Sequence, residues 1–213
     1  MADHLYRDTI AVCGADSSCF VRHDGTLGPF VGEATLTLLH VVTGATTTLA
    51  TVPVSLPRGG GSITWFCASG AGVPGACTPY SALLTTAGCA SAGTDCLLTV
   101  SVADATSGVT VDSHAVLLAV PSKLSLQRAN VSITLGDVAP DGASASLTVE
   151  SDAVALFVML TTLAQGRFST NAFVVTPSRP VHLDFIAIGS DTVDVETLRD
   201  TLAYEYVNKY VHV

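Results

Sequence analysis

Six cysteines stand at positions 13, 19, 67, 77, 89 and 96, all in the first half of a 213-residue chain. An even number at short separations is the pattern of local disulfides, and the spacing predicts Cys13–Cys19, Cys67–Cys77 and Cys89–Cys96. Each bridge closes a small loop and contributes about 2–3 kcal/mol, chiefly by restricting the unfolded chain. The competing chemistries are free thiols and a zinc site. Zinc favours short C-x2-C spacings with further thiols or imidazoles close by, and none of these pairs has them. Neither a metal nor a cofactor is expected.

Carboxylates and imidazoles offer no constellation either. Glu33, Glu150, Glu196 and Glu205 lie at strand ends or in exposed-looking stretches, outside any motif. The histidines (His4, His23, His40, His114, His182 and His212) are dispersed and lack the H-E-x-x-H spacing. His40 and His182 sit in alternating segments, where an outward-facing or satisfied strand residue is the ordinary role. Arg58-Gly59-Gly60-Gly61 lacks the Lys-Ser/Thr and the following helix of a phosphate loop. No Gly-x-Ser-x-Gly nucleophile elbow occurs. No catalytic residue is expected in this chain.

The elements that would position any site read as strands. Glu33–Val42 alternates, with Leu36 and Leu38 on one face, and Thr47–Leu56 returns after the Thr43-Gly44 turn. Further strands are read at Leu5–Val12, Cys19–His23, Ser62–Cys67, Cys96–Ala103 and His114–Val120. Tyr80–Thr86 is left open between a short helical turn and a strand. Segments this short, separated by Gly, Pro and Asp, describe an all-β sandwich. A second set of alternating segments follows Pro121–Arg128, with a Pro140-Asp141-Gly142 turn and a last strand at Leu202–Val207. The expected fold is all-β, two immunoglobulin-like β-sandwiches in tandem, over residues 1–122 and 123–213.

Composition narrows the partners. Eighteen acidic residues against nine basic ones give a net charge of −9. Nucleic acid is therefore not an expected partner, because its binding depends on clustered Lys and Arg. No window has the ~18 uninterrupted apolar residues of a membrane helix, so a soluble chain is expected.

The stretch Gly166-Arg167-Phe168-Ser169-Thr170-Asn171-Ala172-Phe173 reads as an ordered loop between an apolar strand, Val154–Leu160, and Val174–Ser178. Gly166 suits a tight turn, Asn171 can bond nearby backbone, and the two phenylalanines can pin the loop ends. The pattern of an apolar strand, then G-R-F-S-x-N-x-F, then a strand and a turn resembles the last immunoglobulin-like domain of β-mannosidases. These are glycoside hydrolases of the β-galactosidase/β-glucuronidase clan. Leu83-Leu84 through Cys89 and Cys96 to Leu117-Leu118, then Pro121–Leu124 and Ala129–Val131, resemble the domain before it and the linker.

The resemblance implies a parent enzyme that removes terminal β-linked mannose with retention, using two glutamates on a (β/α)8 barrel. No position here matches those glutamates. The implied role is scaffolding of a missing catalytic barrel, with β-mannosides or N-glycan fragments as possible ligands. Two alternatives remain: a stand-alone carbohydrate-binding module, and an adhesion or structural pair with no sugar function. Arg167 and Asn171 are expected to brace their loop, or else to wall the parent's substrate pocket, with an exposed patch around Phe168. The resemblance also implies a penultimate domain like a carbohydrate-binding module. Trp65, the only tryptophan, adjoins Phe66, and adjacent strand residues face opposite ways. Trp65 is expected to fill the core; pointing outward, near His40 or Tyr80, it would be a sugar platform. Disulfides and the sequon Asn130-Val131-Ser132 suggest a glycoprotein of the secretory pathway, lysosomal or extracellular. The polar N-terminus is no signal peptide, so the chain reads as the tail of something larger.

Overall fold

The computed structural model describes residues 7–14, 16–72, 75–90, 92–189 and 192–211. His4 and His212, and the start of the strand expected from Leu5, lie outside them. The chain divides into two units. One comprises residues up to Val41 and Ala45–Ser125; the other comprises Val42–Gly44 and the chain from Leu126 onward. Each carries its own apolar core between two antiparallel sheets, and the fold is all-β.

In the first unit, β1 (Thr9–Cys13), β2 (Cys19–His23), β5 (Ser62–Cys67) and β6 (Gly70–Ala71) form one sheet in the order β1-β2-β5-β6. β3 (Phe30–His40), β4 (Thr46–Leu56), β7 (Cys96–Asp104) and β8 (Thr110–Leu117) form the other, ordered β4-β3-β7-β8. Strict alternation buries Ala34, Leu36 and Leu38 of β3 and Val52 and Val54 of β4 against Val100 and Val102 of β7. The facing sheet supplies Ala11, Val21 and Phe66. Asp112 of β8 reaches across: its Oδ2 accepts the Ala11 N–H of β1 at 2.9 Å, and Oδ1 lies 3.3 Å from the Arg7 guanidinium. A carboxylate only 7% exposed is thus compensated by a backbone donor and a cation. Tyr80–Thr86, left open by the sequence, is a short α-helix. β8 starts four residues earlier than the expected His114.

The three disulfides pair as their spacing predicts: Cys13–Cys19, Cys67–Cys77 and Cys89–Cys96. No free cysteine occurs among the described residues.

In the second unit, β9 (Val131–Val138), β10 (Ser144–Ser151), β12 (Gly166–Phe168) and β14 (Val181–Ala187) form a sheet in the order β12-β14-β10-β9. β11 (Ala155–Thr161), β13 (Phe173–Val175) and β15 (Ala203–Glu205) form the opposing sheet. Leu147, Val149, Val158, Leu160, Leu183 and Phe185 meet between them. The predicted turn is present: Gly142 sits at φ +73°, where a side chain is strained, and Asp141 Oδ1 accepts the Ala143 N–H. A helix, Val195–Thr201, is capped by Asp194, whose Oδ1 accepts the Thr197 N–H at 3.0 Å. The final strand is shorter than the expected Leu202–Val207, because the chain turns at Tyr206 to seat Asn208. That side chain, 2% exposed, donates to the carbonyls of Gln127 and Val154 at 2.7 Å each and accepts the Leu156 N–H at 3.2 Å. The Tyr204 and Tyr206 hydroxyls donate to the Val131 and Ala129 carbonyls.

Candidate functional site

The G-R-F-S-x-N-x-F stretch is not simply a loop. Gly166–Phe168 is an edge strand of one sheet and Phe173 opens a strand of the other, so Ser169–Ala172 carries the chain across the sandwich. Each motif residue has a mechanical reason. A Cβ at Gly166 would lie 2.3–2.5 Å from the Phe185 ring and 2.6 Å from the Ile186 carbonyl, so the position needs glycine for space. Phe168 meets Phe185 edge-on, with centroids 5.2 Å apart. The Ser169 N–H donates to the Asp184 carbonyl at 2.7 Å, and its Oγ accepts the Asp184 N–H at 3.0 Å.

Asn171 acts as a surrogate strand. Its Oδ1 accepts the Leu160 N–H at 2.8 Å and its Nδ2 donates to the Leu160 carbonyl at 2.9 Å. The same Oδ1 accepts the Ala172 N–H at 3.1 Å, which holds Ala172 at φ +59°. Both amide groups of Asn171 are consumed by backbone. Arg167 is exposed on β12, opposite Ile186. Phe168 is half-buried and packs against the second core, because the Phe185 edge claims its ring.

The expectation that Trp65 fills the first core is also overturned. Phe66 occupies that place at 0% exposure, opposite Cys19 of β2. Trp65 lies opposite Phe20 on the other side of the sheet, half-buried, with ring centroids 5.1 Å apart and planes inclined by 56°. The residues imagined as its neighbours are elsewhere. His40 belongs to the β4-β3-β7-β8 sheet, and Tyr80 packs against the core with its hydroxyl 3.8 Å from Cys19 Sγ. Burial, and secondarily the Asp16 carboxylate, push the Tyr80 phenol up to about 12.

His40, Asp95 and Cys96 come together, with His40 Nε2 at 3.4 Å from Asp95 Oδ2. Cys96 is spent in the disulfide with Cys89 and presents no thiolate, so these three do not make a metal centre. Two other histidines, His23 and His182, pair with neighbouring groups. His23 is buried, with Nδ1 2.8 Å from Thr9 Oγ1 and Nε2 3.0 Å from the Gly28 carbonyl. The exposed His182 pairs with Thr148 Oγ1 at 3.1 Å.

The acid chemistry of glycosidases needs a carboxyl held protonated by its surroundings. Here the displaced carboxylates move the other way. Hydrogen bonds from Ser18, Ser107, Asn130 and Thr197 hold Asp16, Asp104, Asp152 and Asp194 below the usual range. Tyr210 and Lys209 do the same to Glu205. Asn130 is exposed; its Nδ2 donates to Asp152 Oδ2 at 2.6 Å and its N–H to Oδ1 at 2.8 Å. Among the described residues, no helix is long and apolar enough to cross a membrane.

An immunoglobulin-like sandwich built around this crossover defines the class of the second unit, and the comparisons specify it. Residues 126–207 match the model of a family of Ig-fold domains, Ig_mannosidase. Among solved structures, the β-D-mannosidase of Dictyoglomus thermophilum superposes with a TM-score of 0.64 at 18% identity, over 95% of this chain and 22% of that one. The exo-chitosanase CsxA of Amycolatopsis orientalis superposes with a TM-score of 0.55 at 13% identity, over 95% of this chain and 26% of that one. The chain spans only about a quarter of these enzymes. At such identities the likeness is one of fold. No curated protein matches the sequence.

Proposed function

We propose that this chain is the accessory, C-terminal two-sandwich portion of a β-mannosidase-like glycoside hydrolase, and that it scaffolds a catalytic barrel it does not itself contain. On this reading residues 1–122 are the penultimate, carbohydrate-binding-module-like sandwich and residues 123–213 the terminal one. The parent enzyme hydrolyses terminal β-D-mannose residues with retention, using two carboxylates about 5 Å apart. The observation that carries the reading is the Ig_mannosidase match over 126–207, which includes the whole Gly166–Phe173 crossover.

Three disulfides suit an oxidising, extracellular or secreted setting. We place the parent in the secretory pathway, with the lysosome as one destination and Asn130 as its glycan acceptor.

The test is expression of the reading frame that contains this chain together with its upstream sequence. The longer product should release p-nitrophenol from p-nitrophenyl β-D-mannoside, and deleting residues 1–213 should lower its folded yield. Hydrolysis by the 213 residues alone, or an upstream sequence without a barrel, would overturn the proposal.

A further inference from the structure

We infer that the outer face of the β1-β2-β5 sheet is a saccharide-binding platform, on which Trp65 and Phe20 stack the rings of a neutral β-linked oligosaccharide. The pairing places Val12, Phe20 and Trp65 in one row across the three strands and Ile10, Arg22 and Ile63 in the next. Val12, Phe20, Trp65, Ile10 and Ile63 all stand apart from the first core, and Ile63 is 40% exposed. The water-facing side of an antiparallel sheet ordinarily carries polar residues. The second sandwich obeys that rule: its β10 and β14 set Ser146 opposite Asp184 and Thr148 opposite His182 on the outer side. The apolar rows of the first sandwich are therefore a local departure, and core packing does not account for them.

Size and charge select the occupant. A stable protein interface takes roughly 20–30 residues a side; these two rows offer six side chains, five of them apolar. That is the footprint of a small ligand. The one charged group in the rows, Arg22, is balanced by Asp24, whose Oδ1 accepts its Nε–H at 2.9 Å. With a net charge of −9 on the chain, an anionic ligand is disfavoured. A pyranose answers both conditions, because it is neutral and has a flat C–H face for the rings and hydroxyls for the Arg22–Asp24 pair. Cys67, two residues beyond Trp65, is held in a disulfide with Cys77, and the Gly72 N–H donates to the Trp65 carbonyl at 3.4 Å. The platform thus has a fixed boundary at its aromatic end.

The choice of β-linked sugars rests on the glycosidase reading above; the platform itself rests on the strand pairing. Trp65 is the sole tryptophan, so its emission reports the site directly. Titration of the 213-residue chain with β-1,4-mannotriose, cellotriose and chitotriose at millimolar concentrations should give a saturable change in that emission and a matching calorimetric isotherm. Trp65→Ala and Phe20→Ser, each verified as folded by circular dichroism, should bind at least tenfold more weakly by calorimetry. Thr148→Ala, on the polar face of the other sandwich, should bind normally. Absence of saturation with all three sugars, undiminished binding by the folded Trp65→Ala variant, or a concentration-dependent dimer that this variant abolishes would overturn the inference. Binding by the chain alone would survive discovery that no barrel lies upstream, so the two proposals fail separately.

Discussion

Asn171 closes both backbone hydrogen bonds of Leu160 with one side-chain amide, 2.8 Å to the N–H and 2.9 Å to the carbonyl. Leu160 is 2% exposed and belongs to the second core. Where a neighbouring strand would have paired, the chain instead crosses to the other sheet, and the amide supplies the missing donor and acceptor.

Replacing that amide should leave both backbone groups of Leu160 and the Ala172 N–H without this partner. Asn171→Ala is expected to cost about 1–3 kcal/mol, read as a lower urea midpoint with an unchanged slope. Asn171→Asp keeps the acceptor but sets a carboxylate against the Leu160 carbonyl, so it should be no better than alanine near neutral pH. An unchanged midpoint in both variants would remove Asn171 from the mechanics of the crossover.

Gly166→Ala tests space rather than backbone freedom. Its Cβ would meet the Phe185 ring and the Ile186 carbonyl at 2.3–2.6 Å, and neither can yield without shifting the core. Overpacking of this kind typically costs about 1–3 kcal/mol. A thermal melt should show the loss, and Gly166→Ala combined with Phe185→Leu should lose less than the two single effects summed.

Acid should release one clamp in a defined way. Hydrogen bonds from the backbone and side chain of Asn130 lower the Asp152 pKa in the folded chain. A group shifted downward contributes its full stability above its unfolded pKa, about 3.9, and loses it as pH falls through the lower folded value. Asp152→Asn, which imitates the protonated form, should therefore be less stable than the parent chain at neutral pH. The difference should vanish at the acid end of a urea series. A gap that persists unchanged into strong acid would rule out the charge as its source.

Much of this could be read in the sequence because it is local. Cysteines six, ten and seven residues apart have few partners to choose from, and Leu36 and Leu38 announce their face by alternation alone. β5 could not be phased that way. Ile63 and Trp65 share one side and Phe66 lies on the other, so both faces contain large apolar residues, and only the pairing with β2 decides between them. β12 and β13 are three residues each, too short for a period to show, which is why a crossover between sheets looked like a loop. The bonds from Asp112 to Ala11 and from Asn208 to Gln127 span 101 and 81 residues. Nothing in the neighbourhood of either residue points to so distant a partner.

The Asn208 bonds also put the two sandwiches on different clocks during synthesis. The first has all its strands once Leu117 is made; the second lacks the side chain that ties Gln127, Val154 and Leu156 together until Asn208 emerges. At about 5–20 residues per second the ribosome needs roughly 5–20 s for that interval. Chains stalled short of Asn208 should be cut by protease within the second sandwich while the first resists. The disulfides of the first can therefore oxidise before the second has closed.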